Sequence, residues 1–172
     1  TANILNFAKR CYKLRKINYI STTFIIGNKE TTLTEDDLYL GQKFNNTYEQ
    51  SKFEAELLVR DCKDRNFGIA IFRPSSIVGD YYSGETTSFK MPYEPIHIFS
   101  LELLREIPAN VKILLNLIPV DVAAKAIYLL GSNENGDGVY HIISPTNVKS
   151  GHFFNLAARF LGYNNPKFIP FE

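Results

Sequence analysis

The chain has 172 residues, 45% of them hydrophobic and 22% charged, an ordinary globular composition that indicates neither a disordered nor a membrane protein. Nineteen basic residues against eighteen acidic ones leave a formal charge of +1, so no global field draws nucleic acid or anionic lipid and a partner has to be recognised locally. Two cysteines, Cys11 and Cys62, make no disulfide framework, Thr1–Ile4 has no signal pattern, and no run nears the roughly twenty apolar residues of a membrane span, so a reducing cytoplasmic setting is expected.

Apolar residues at 4, 5, 7, 8 and 11 predict a helix over 3–11, and a β-rich run over 18–26 leads to Gly27, with Ser21, Thr22 and Thr23 as its hydroxyl-rich end. The polar stretch 28–40 reads as loop. A second helix is predicted over 47–65, with Tyr48, Lys52, Ala55, Leu58, Val59 and Cys62 on one stripe whose apolar part should pack on a sheet. Residues 67–72 are nearly all apolar, as in a parallel strand covered on both faces, and Arg73-Pro74 closes the run. The pattern loosens over 81–116, where only a helix over 96–106 stands out. A helix over 120–130, a strand over 138–143, a helix over 151–161 and a short strand over 167–169 complete the chain. Such alternation predicts an α/β fold, a doubly wound Rossmann-like parallel sheet, in which ligands bind beyond the carboxyl ends of the strands.

The run Asn46-Thr47-Tyr48-Glu49-Gln50-Ser51-Lys52 carries the chemistry. Residues four apart on a helix share a face, so Tyr48 and Lys52 are held side by side one turn apart. A free phenol ionises near pH 10, and acid–base work at neutrality requires a positive charge nearby. At about 4 Å and an effective dielectric of about 20, an ammonium supplies an attraction of about 4 kcal/mol.

Tyr-x-x-x-Lys with an upstream hydroxyl resembles the active site of extended short-chain dehydrogenases/reductases. Gly41-Gln42, Asn46, Tyr48-Glu49, Ser51-Lys52, Ala55-Glu56, Arg73-Pro74-Ser75-Ser76-Ile77-Val78-Gly79-Asp80 and Ile118-Pro119-Val120-Asp121 are similar to the thioester and fatty acyl-CoA reductases of the male-sterility type. The resemblance implies that Thr22, five residues before Gly27, Tyr48 and Lys52 are catalytic. Thr22 would hold the carbonyl oxygen, Tyr48 would transfer its proton, and Lys52 would bind the nicotinamide ribose. Pro74, Ser75 and Ser76 would lie along the nicotinamide. NADP is the implied cofactor, with NAD the other candidate, and the implied partner is an acyl thioester on coenzyme A or on a phosphopantetheine carrier protein.

On the same resemblance, 1–80 and 118–143 form the Rossmann-like core, and 81–117 and 144–172 the substrate-side region. No Gly-x-x-Gly-x-x-Gly or Gly-x-Gly-x-x-Gly occurs. In the family that phosphate loop precedes the position of Thr1, so the chain is expected to be the carboxyl-side portion of a reductase domain, inactive and prone to self-association without its amino-terminal half. Asp80 and Gly84, in a Gly-Asp-x-x-x-Gly pattern, and Glu49 after the tyrosine favour acyl thioesters over the sugar nucleotides of epimerases and dehydratases, the first alternative. A non-catalytic Rossmann-like sensor or interaction module is the second. Tyr81, Tyr82, Phe89, Tyr93 and Phe99 could line an acyl tunnel or pack a core. Asp121 is expected to cap the helix it opens, and His97, His141 and His152, lacking partners at metal spacing, are expected to be structural.

Overall fold

The computed structural model describes residues 1–62, 66–101, 106–133 and 136–169. They form two units, one of residues 1–75 and 123–143, the other of residues 76–122 and 144–172.

The first unit is built on a parallel sheet in which β2 (Gly68–Pro74) lies between β1 (Lys16–Ile20) and β7 (Gly138–Ile142). Register pairs Ile20 with Phe72 on one side and Arg73 with His141 on the other. β2 is buried from Ile69 to Pro74, with Gly68 half-buried, which accounts for its apolar run. Helices α1 (Ala2–Ala8) and α2 (Thr47–Arg60) contribute Leu5, Ala8 and Val59 to a core with Cys62, Phe67, Ile69 and Ile71. Leu5, Val59, Phe67, Ile69 and Ile71 each contribute about 1.5–3 kcal/mol by their burial.

α2 starts where its sequence provides a reciprocal cap. The Asn46 Oδ1 accepts the Glu49 N–H at 2.9 Å, and Glu49 Oε2 reaches back to the Asn45 N–H at 2.8 Å. This sets Tyr48 in the first turn and Lys52 one turn on. The buried face of the helix differs from the predicted stripe: Glu49, Phe53, Glu56 and Val59 face inward, while Leu58 and Tyr48 are exposed. Two carboxylates go inside because donors meet them there. The predicted extensions over 63–65 and 102–105 lie outside the described residues.

The strand predicted over 18–26 is shorter and earlier. β1 ends at Ile20, and Thr23–Ile26 form a 3-10 turn capped by Thr22, whose Oγ1 accepts from Phe24 N at 3.3 Å. Side-chain hydroxyls at Ser21, Thr22 and Thr23 offer the backbone an alternative to the ladder.

The second unit has no central sheet among its described residues. Parallel β3 (Ser76–Val78) and β6 (Leu117–Pro119), parallel β4 (Glu106–Pro108) and β9 (Lys167–Ile169), and antiparallel β5 (Leu114–Leu115) and β8 (Val148–Lys149) are separate pairs. They accompany α3 (Tyr93–Ser100) and α5 (Ser150–Phe160), and α4 (Val120–Gly131) runs across the boundary in sequence. α3 begins and ends earlier than the helix predicted over 96–106. Among the described residues no helix is long and apolar enough to cross a membrane.

Candidate active site

On successive turns of α2 stand Tyr48, Lys52, Glu56 and Arg60. Lys52 leans onto the end of β1, where its Nζ donates to the Ile20 carbonyl at 3.0 Å and lies 5.8 Å from the centre of the Tyr19 ring. That placement gives the ammonium a hydrogen bond and a cation–π contact. Tyr48 is 52% exposed. A second phenol, Tyr19, lies beside Lys52, and burial, with the charges of Glu56 and Tyr48 acting the same way, pushes it up to about 12. Tyr19 therefore keeps its proton, whereas Tyr48 stands exposed one turn before Lys52.

Thr22 follows directly on Ile20 and Ser21 and is only 3% exposed. Its Oγ1 donates to the Pro74 carbonyl at 3.4 Å as well as accepting from Phe24 N, so both contacts are to backbone, linking the ends of β1 and β2. Pro74 closes β2, and Ser75 continues from it with its N–H donating to Ile142 O at 3.1 Å. Ser75 is 7% exposed, and its hydroxyl oxygen is buried with no hydrogen-bond partner. A buried polar atom without a partner carries a desolvation cost that a ligand removes. Ser76 opens the second unit as the half-buried first residue of β3, paired with Leu117.

Sequence reasoning missed the ionic centre beneath these groups. Arg73 and Glu56 are both fully buried, their Nη2 and Oε1 2.7 Å apart. Glu56 also accepts from Arg60 Nε at 3.1 Å and from the Ser21 hydroxyl at 2.5 Å. Arg73 extends further, to the Thr34 carbonyl at 3.0 Å and the Asp37 carbonyl at 2.5 Å, and Arg60 binds the carbonyls of Glu35, Asp36 and Asp37. The polar stretch read as loop is thus fastened to α2 by the Arg60 guanidinium and to the sheet by that of Arg73. An arginine ending an apolar strand was the available signal, because it needs a buried acceptor.

In the second unit, the Gly-Asp-x-x-x-Gly pattern makes a turn. Asp80 Oδ1 accepts from the N–H groups of Tyr82 and Ser83, with Gly84 at φ 72°, and the bonds from Ser83 and then Tyr82 hold the Asp80 carboxyl below its usual range. Beside it is a cleft of about 1010 Å³ lined by Ile77, Ser83, Thr86, Phe89 and Met91 among others. Of the five aromatics considered for a tunnel only Phe89 lines it: Tyr93 accepts from Gly79 N, Phe99 packs on Tyr163, and Tyr81 and Tyr82 are exposed. Asp121 differs from expectation too, since its Oδ1 accepts from the Tyr81 N–H rather than capping α4.

Residues 1–127 match the family model described as male sterility protein. The non-canonical nonribosomal peptide synthetase FrzA from Cladobotryum sp. is 30% identical over 168 residues, which cover 87% of this chain and 15% of FrzA. Probable fatty acyl-CoA reductase 5 of Arabidopsis thaliana is 22% identical over 221 residues, covering 94% of this chain and 44% of that protein. Among solved structures, the terminal R domain from the myxalamid PKS-NRPS biosynthetic pathway superposes with a TM-score of 0.81 at 26% identity, over 97% of this chain and 42% of that one. The chain thus spans about 15% of the first of these curated relatives and less than half of the R domain. With three-quarters of its length matched and its motifs in order, the chain belongs to the male sterility protein family of extended short-chain dehydrogenases/reductases.

Proposed function

We propose that this chain carries the acid, the carbonyl-holding hydroxyl and part of the nicotinamide site of a reductase that converts an acyl thioester, on coenzyme A or a carrier protein, to an aldehyde. The observation that carries the reading is Lys52. It stands one turn from Tyr48 and is bonded to Ile20, two residues before Thr22, so one ammonium ties the helix of the acid to the strand end of the hydroxyl.

A nicotinamide cofactor fits the residues present in one respect that geometry supports: the partnerless Ser75 hydroxyl, at the carboxyl end of the central strand, is suited to a carboxamide. Lys52 would take the ribose hydroxyls. When bound, the cofactor supplies the hydride. Tyr48 donates its proton to the substrate oxygen, and Lys52 provides positive charge one turn away as negative charge develops there. Thr22 holds the same oxygen by exchanging its bond to the Pro74 carbonyl, which at 3.4 Å is long, for one to the substrate. The resulting hemithioacetal collapses: its hydroxyl loses the proton as the carbonyl re-forms, the carbon–sulfur bond breaks, the departing sulfur takes up the proton, and thiol and aldehyde are released.

NADP(H) is the donor we assign, as in the reductases this sequence resembles, and parallel turnover with NADPH and NADH tests that choice. FrzA and the R domain support a carrier-bound substrate, and the plant relative supports coenzyme A. The decisive measurement is NADPH oxidation by the intact reductase with octanoyl-CoA and with a carrier-bound acyl thioester, for wild type and Tyr48→Phe. Loss of about a hundredfold or more in kcat is expected. Undiminished turnover in the variant overturns the assignment.

A further inference from the structure

We infer that Glu56 is a positioning residue for this reaction, acting through the Ser21 hydroxyl to fix the backbone that presents Thr22. The inference rests on the proposed reductase reading. Three consecutive residues at the end of β1 have separate anchors: Ile20 O is held by Lys52 at 3.0 Å, Ser21 Oγ by Glu56 at 2.5 Å, and Thr22 Oγ1 by the Pro74 carbonyl at 3.4 Å. The first two anchors come from adjacent turns of α2, the helix that also carries Tyr48 one turn before Lys52. Strand end and helix are therefore clamped at two points, which sets Thr22 relative to Tyr48.

Glu56 is fitted for holding and not for proton transfer. It is fully buried, and all its partners donate to it: Ser21, Arg60 Nε, and Arg73 through Nε and Nη2. Arg73 is itself immobilised by the Thr34 and Asp37 carbonyls. The carboxylate has no freedom to follow Ser21, so Ser21 follows it. The Ser21 N–H also donates to Phe72 O at 2.7 Å, which leaves the side-chain bond as the contact that sets how the residue turns into Thr22.

Glu56→Gln is the direct variant, but it also weakens the pair with buried Arg73 and can unfold the protein. Ser21→Ala removes only the clamp and leaves Glu56 with Arg73 and Arg60. In the intact reductase, with octanoyl-CoA as probe, Ser21→Ala is expected to lower kcat about tenfold, with KM for NADPH within about twofold of wild type. The discriminating readout is the cycle with Thr22→Ala. If Ser21 acts by placing Thr22, Ser21→Ala costs little once Thr22 has lost its hydroxyl. A tenfold loss that persists in the Thr22→Ala background, or no loss in either, overturns the positioning role while leaving the reductase reading intact. Full activity in Thr22→Ala alone removes the reading of Thr22 and this inference with it.

Discussion

The two units hold themselves together by different means. In the first, a seven-residue central strand is hydrogen-bonded on both sides, and a fully buried Arg73–Glu56 pair joins strand, helix and loop. In the second, strands of two or three residues pair in isolation, and turns such as the one around Asp80 do much of the shaping. The unit that holds Tyr48, Lys52 and Thr22 is the one with over-determined backbone. On the proposed reductase reading, proton transfer in the first unit would tolerate little misplacement, whereas acyl binding by the second would gain from short, replaceable pieces.

The largest effect that would sharpen this contrast is expected from Arg73→Met. It leaves a buried carboxylate with only Ser21 and the partly exposed Arg60 and removes one of the two guanidinium groups that hold the 34–37 loop, so it should destabilise the chain by about 3–5 kcal/mol in urea unfolding. Arg73→Met combined with Glu56→Leu should recover a good part of that loss, because no unpaired charge remains inside. A double variant as unstable as the sum of the singles would show that the pair is not what joins the first unit.

A smaller effect is expected in the second unit, from Gly79→Ala. A Cβ there would press on the Gly84 carbonyl oxygen, with the Gly84 carbonyl carbon at 2.9 Å and the Glu85 oxygen at 3.0 Å, all backbone atoms that yield only by opening the turn. The cost should be about 1–3 kcal/mol. If the second unit is locally independent, amide exchange should accelerate around 79–85 and Tyr93, whose hydroxyl accepts the Gly79 N–H, and stay unchanged in β2. Acceleration spreading through β2 would break the distinction between the units.

What could be read beforehand follows the same division. The apolar run of β2 and the 3.6-residue pattern of α2 are long enough to be recognised, and the four-residue spacing of Tyr48 and Lys52 is a property of one helix. β5 and β8, with two residues each, have no period to read, and their pairing of Leu115 with Val148 joins positions far apart in sequence. The cluster of Ser21, Glu56 and Arg73 was missed for a related reason: its members come from separate parts of the chain, and only Arg73, ending an apolar strand, is unusual before the fold brings them together. The predicted α2 stripe holds at Val59 and Cys62 and fails at Leu58, which is exposed while Glu56 is buried. Transfer preference alone gives the opposite order, which a buried guanidinium reverses.

The smallest effect concerns pH and the edge of the ionic centre. His141 on β7 lies beside Arg73, whose Nη1 is 3.1 Å from Nε2. A guanidinium only donates, so Nε2 accepts and the neutral ring carries its proton on Nδ1, facing Glu35 Oε1 at 3.8 Å. Burial holds the His141 pKa below its ordinary 6.5, and Arg73 acts the same way. Glu35, Glu56 and Asp37 pull it back up without prevailing. A depressed histidine means that, as pH falls below 6.5, the unfolded chain takes up a proton that the folded chain refuses. Its contribution is complete above 6.5 and diminishes on acidification until the folded-state pKa is passed. Comparing urea unfolding of wild type and His141→Gln across that range removes the common titration of the carboxylates. The wild-type advantage should shrink as pH drops below 6.5. An advantage that grows on acidification would mean that the ion pair with Glu35 outweighs burial and Arg73, and that the first unit's interior accepts charge more readily than its sealed Arg73–Glu56 pair suggests.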